Sequence, residues 1–134
     1  MLIYSKKNKK KVIASIYHYK NHENDRLDLS PKNEFIQTAI VNKNKNFYLN
    51  PHRHLRIMRK SNTTQEVWII IQGKIEVTFY DIDKNLLTKK ILKKNDISIL
   101  FRGGHSMKIL SKKIKIYEIK NGPYYGKKKD TQYI

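Results

Sequence analysis

The chain has 134 residues, enough for one domain with its own core and no need of disulfide staples. It contains no cysteine, which excludes disulfides, thiolate ligands and a cysteine nucleophile and suits a reducing compartment. The formal charge of +18 draws anions to the surface, but five arginines among scattered lysines, with no zinc-finger, RNP or helix-turn-helix pattern, do not make a specific nucleic-acid partner.

Taken in chain order, "MLIY" is followed by the charge run "SKKNKKK", which carries no secretory apolar stretch. No apolar run approaches membrane-spanning length. The expectation is a cytoplasmic protein without a membrane partner. "VIASIYHYK" reads as a short strand. His18 and His22 have the i, i+4 spacing of a helical metal pair, yet they sit in the polar stretch "YHYKNHEND" without a glutamate and are read as exposed side chains. Residues 1–30 are set apart as an N-terminal extension.

From Asn33 the pattern becomes regular. "EFIQTAIV" and "FYLNPHRHLRI" read as strands, the second with Pro51 at an edge or strand start. "EVWIIIQ" is a short buried strand rich in β-branched residues, turned by Gly73. "KIEVTFYD" alternates, with Ile75, Val77 and Phe79 on one face. "LLTKKIL", "ISILF", "SMKIL" and "KIKIYEI" follow, separated by "DIDKN", "KKND" and "RGGH". Short strands with turns every 8–12 residues predict an all-β sandwich or barrel. Residues 34–119 form the predicted barrel of a single domain, and 120–134, with "GPYYG", a strapped-down tail.

One constellation carries chemistry. Residues i and i+2 of a strand point to the same side, so His52 and His54 are predicted to project together. Glu66 opens a nearby strand, and His105 follows the Gly103–Gly104 bend. Three imidazoles and a carboxylate suit Fe, Mn, Ni, Cu or Zn without selecting among them, with an open side for water or substrate. Each residue also has a plainer reading: exposed loop histidines, a carboxylate paired with lysine, a turn residue. Three further positions are read as pocket candidates. Glu118 shares a face with Ile114 and Ile116, and Gln37 shares one with Phe35 and Ala39. Trp68 is core or ligand platform.

The stretch 51–73 resembles the first motif of the cupins. His52-Arg53-His54 supplies the paired histidines, and Glu66 and Gly73 enclose six residues as that motif asks. "NDISILFRGGH" resembles the second motif. The chain departs from the pattern in the long interval between His54 and Glu66, in Asn95 for glycine and in Phe101 for proline. Across residues 26–134 the strings "RLDLSPKNEFIQ", "TQEVWIIIQGKIEV" and "YEIKNGPYYG" resemble small bacterial cupins often encoded among cell-surface polysaccharide genes. The resemblance implies a double-stranded β-helix, or jelly roll. It implies a divalent metal (Zn, Fe, Mn or Ni) held by His52, His54, Glu66 and His105.

It also implies a carbohydrate-like or anionic small-molecule ligand, acted on or sensed in polysaccharide or nucleotide-sugar metabolism. Related polysaccharide-pathway cupins imply the alternative of a metal-free ketoisomerase or epimerase. There His52 or His54 would be the base, Tyr117, Tyr124 or Glu118 the acid, and Trp68, Gln37 and Arg102 the substrate contacts. A non-catalytic sugar-binding module is the third reading. Exposed strand edges predict a homodimer.

Overall fold

The computed structural model describes residues 1–21 and 23–134. Its regular structure is almost all antiparallel β. A five-stranded sheet has the order β1-β2-β8-β5-β10 and a three-stranded sheet the order β7-β6-β9. The first contains β1 (Leu2–Tyr4), β2 (Val12–Tyr17), β5 (Glu66–Gln72), β8 (Ile97–Leu100) and β10 (Lys115–Lys120). The second contains β6 (Lys74–Tyr80), β7 (Leu86–Lys93) and β9 (Gly104–Ile109). A separate pair joins β3 (Arg26–Asp28) to β4 (Ala39–Val41), and one helical turn, α1, spans Lys127–Asp130.

The period-two pattern explains why the two sheets face each other. Ile75, Val77 and Phe79 of β6 are fully buried and pack with Trp68 and Ile70 of β5, Ile13, Ala14 and Ile16 around β2, and Leu92 and Leu100. The opposite face of the five-stranded sheet, with Val67 and Ile99, is covered by Leu27, Leu29, Ile36 and Ile40 from around the β3–β4 pair. Both faces of β5 and β8 are therefore buried, which accounts for the near-continuous apolar runs "EVWIII" and "ISIL".

Gly73 joins β5 to β6 at φ +87, and a Cβ there would meet the Lys113 carbonyl at 2.3 Å. The turn thus needs glycine for both conformation and space. Asn95 takes the left-handed conformation, φ 70, in place of the glycine of the motif. The tail's last residue reaches the three-stranded sheet: a Cβ on Gly104 would lie 2.0 Å from the Ile134 side chain.

Three expectations from sequence need correction. Residues 1–30 are more than an extension, because they supply β1 and the wholly buried β2. The aliphatic residues of "VIASIY" found a place in the core despite the lysine run before them. The segment 47–57, expected as a strand, is an exposed arm without regular structure. Its apolar residues Tyr48, Leu49, Leu55 and Ile57 are 60–73% exposed. Pro51 lacks the N–H a ladder needs, and charged side chains interrupt the apolar ones on both faces. "EFIQTAIV" is likewise shorter, a strand only over Ala39–Val41.

Candidate functional site

The fold gathers five chemistry-bearing side chains at one end of the space between the sheets. Glu66 and Trp68 point inward from β5. On the neighbouring edge strand Lys120 stands opposite Glu66 and Glu118 opposite Trp68, so all four share a face. His105, opposite Phe79 in the other sheet, closes the group from across the core. Trp68, Val77, Phe79, Ser98 and Leu100 wall a small cavity of about 10 Å³, onto which Glu66 and His105 open.

Hydrogen bonds fix the arrangement. The Trp68 indole N–H donates to Glu66 Oε1 at 2.5 Å and to Glu118 Oε1 at 3.3 Å. Lys120 Nζ lies 3.3 Å from Glu66 Oε2 and 3.4 Å from Glu118 Oε2. His105 Nε2 stands 3.8 Å from Glu66 Oε1, and its ring meets the Trp68 ring edge-on with centroids 4.6 Å apart. His105 Nδ1 is buried and has no hydrogen-bond partner among the described residues. An unpaired buried nitrogen costs about 1–3 kcal/mol, which a bound hydroxyl or carbonyl would recover.

The electrostatics follow from these neighbours. Burial, then the hydrogen bond and charge of Glu118, push Glu66 up from 4.5 to about 7, with Lys120 opposing. The hydrogen bond from Glu66 holds Glu118 below the ordinary carboxylate value. The two therefore share a proton, the better-solvated partner keeping the charge. Burial, then the Lys120 charge, lowers His105, which is neutral at pH 7. For Lys120, burial is outweighed by the two carboxylates, and its pKa rises.

Of the residues expected in a site, Glu66, His105, Trp68 and Glu118 are brought together. The others are not. His52 and His54 lie on the exposed arm, their rings 5.5 Å apart, with His52 Nδ1 donating to the Asn50 carbonyl at 2.9 Å. They have left the strand on which the shared-face argument depended. Tyr117 is on the outward face of β10 and 61% exposed, and Tyr124 is exposed in the tail. Gln37 ties a local turn by donating to the Pro31 and Glu34 carbonyls. Arg102 is clamped: its guanidinium donates to both Glu34 carboxylate oxygens at 2.8 Å and to the Val12 carbonyl. Glu34 in turn accepts from Gln65, so Arg102 anchors the approach to β5. His18 donates through Nδ1 to buried Asp96 at 2.9 Å, while His22 lies outside the described residues. Lys120 was not singled out in the sequence, although the alternation of "KIYEIK" puts it on the face of Glu118.

The fourfold metal set implied by the cupin resemblance does not fit this arrangement. The positive charge beside Glu66 is the Lys120 ammonium, the Trp68 N–H occupies Oε1, and the two arm histidines are elsewhere. Searches against protein-family models, curated proteins and solved structures return no match to this chain.

Proposed function

We propose that the chain is a small cupin-like jelly roll whose mouth takes the edge of a carbohydrate-like molecule and moves a proton on it, with Glu66 as the exchanging group. Glu66 and His105 at the mouth of one walled cavity, with Glu118 and Lys120 paired to Glu66 from the exposed edge strand, carry this reading. Paired carboxylates and an ammonium match sugar hydroxyls in both donor and acceptor sense. The enclosed space is water-sized, about 10 Å³, so a sugar presents one edge to the mouth and stays outside with any nucleotide it carries.

The chemistry that fits is proton transfer next to a carbonyl. Glu66 as carboxylate takes the proton from the carbon beside the carbonyl. The electron pair moves onto the carbonyl oxygen, where the Lys120 ammonium stabilises the enolate. Protonation of the same carbon from its other face by solvent gives epimerisation. Where that carbon carries a hydroxyl, return of the proton from Glu66 to the former carbonyl carbon, with the hydroxyl proton passing to the former carbonyl oxygen, gives isomerisation. No oxidant or reductant is required. A carboxyl titrating near neutrality is matched to such exchange, and neutral His105 offers its free nitrogen to a hydroxyl.

The test is deuterium wash-in. Keto-sugars and nucleotide-linked keto-sugars are incubated with the protein in D₂O and followed by NMR. Incorporation beside the carbonyl is expected, slowed by Glu66→Gln by about 10²–10⁴-fold and little changed by His52→Ala. Binding without exchange would leave a sugar-binding module. A stoichiometric divalent metal in protein purified without an affinity-column metal, lost on His54→Ala, would replace this reading with a metal-centred one in which the arm closes over the mouth. The exposed apolar side chains of the arm and the free edge of β10 are where a second copy would pair to give a homodimer.

A further inference from the structure

The lysines scattered through the sequence are sorted by the fold. On the outward face of the three-stranded sheet, Lys74 stands directly opposite Lys93, Thr78 opposite Lys89, and Glu76 opposite Lys108. Lys74, Lys89, Lys93 and Lys108 are all exposed. Like charges directly opposed across strands are unfavourable. The one carboxylate of this face, Glu76, is already engaged with Lys89 at 3.3 Å, and nearby Asp96 is fully buried and committed to backbone N–H groups and His18. Interspersed on the same face are Ile91 and Leu110, 49% and 42% exposed. The tail meets the far end of the face at Gly104, and Thr78 in its middle is buried.

We propose that this half of the sheet face is a peripheral docking surface for an anionic lipid bilayer. The partner is inferred from three features together. The charge is lysine alone, which meets headgroup phosphates as point charges and does not read bases by a planar fork. Among the described residues the aromatic side chain of this face, Tyr80, is half-buried at its far end opposite Gly104, away from the Lys74–Lys93 pair, so these lysines lack a ring on which a nucleobase would stack. It mixes ammonium groups with aliphatic side chains, the combination that adds apolar insertion to attraction for anionic lipid. Among the described residues no helix is long and apolar enough to cross a membrane, so the contact is at the surface. This changes the expectation of no membrane partner, which rested on the lack of a spanning segment. The Glu66 mouth lies at the other end of β5 from Gly73, and docking leaves it open.

The experiment is co-sedimentation of the full chain with phosphatidylcholine vesicles, with and without phosphatidylglycerol, at physiological ionic strength. Binding is expected only with the anionic lipid. Each lysine near the surface contributes roughly fivefold, so Lys74→Gln, Lys93→Gln and Lys108→Gln together should weaken it on the order of 100-fold. Leu110→Ser should weaken it with charge unchanged. Lys7→Gln, Lys9→Gln and Lys10→Gln remove the same net charge from the N-terminal run and should leave most of the binding. Circular dichroism and melting confirm that each variant is folded. Equal losses from both triple variants, no preference for anionic lipid, or tighter binding to duplex DNA or free polyphosphate that the face variants abolish would each overturn the proposal.

Discussion

Replacing Phe79 with alanine is expected to lower the unfolding free energy by about 3–5 kcal/mol. That is a large part of the ~5–15 kcal/mol available to a domain. Phe79 is fully buried in the cluster where the two sheets meet, and it stands opposite His105 in the strand register. Its removal opens a void under the mouth that the β6 ladder, paired on both sides, prevents from collapsing. Urea denaturation of the variant against wild type gives the value directly. Tyr117→Ala, on an exposed outward face, should stay within about 0.5 kcal/mol. A Phe79→Ala loss below about 1 kcal/mol would mean that the sheets do not share this core.

Stability should also depend on pH through Glu66, by up to about 3 kcal/mol between pH 4.5 and 7. Its folded pKa, about 7, lies above the ordinary 4.5. Over that window the unfolded chain has released the proton and the folded chain retains it. Folding is therefore favoured at the acid end, and the advantage is lost as pH rises through 7. Two neighbours act against it. Glu118 has its pKa lowered, so its contribution is present above its unfolded value and lost toward acid. His105 is lowered also, so it favours the folded state increasingly as pH rises toward its unfolded value. Glu66→Gln keeps the shape and removes the Glu66 contribution together with the shift Glu66 imposes on Glu118, so the wild-type-minus-variant difference reports the carboxyl pair, in which Glu66 has the larger shift. That difference should fall with pH up to about 7 and then level off. A difference that is flat or rises with pH would contradict the pairing.

The strands of the core were legible because their alternation and β-branched content act locally: "EVWIIIQ" is a strand over the full length read from sequence, and "KIEVTFYD" over all but Asp81. The long N-terminal pairing was not. Nothing local in "VIASIY" announces a partner such as β8, some eighty residues away, which it finds through register between buried faces. For the site, the alternation rule placed Glu118, and the spacing around Gly73 drew attention to Glu66. The same rule misplaced His52 and His54, because it holds only where the chain is a strand, and the segment through Pro51 pairs with nothing. Arg102 looked like an anion contact because its residue type is one. Its guanidinium was already satisfied by Glu34, a partner 68 residues distant that no spacing reveals. Charge likewise reads as diffuse along the chain and as a patch only once β6, β7 and β9 are laid side by side.

Glu66 sits in a carboxyl pair at the mouth between the sheets. The most direct measurement is a ¹³C NMR titration of the Glu66 side-chain carboxyl in the intact chain, assigned with Glu66→Gln. A midpoint of about 7 is expected. It should move higher in Lys120→Ala, which removes the opposing cation, and lower in Glu118→Gln, which removes the charge of the pair. A midpoint at the ordinary 4.5, unmoved by either substitution, would contradict this pairing.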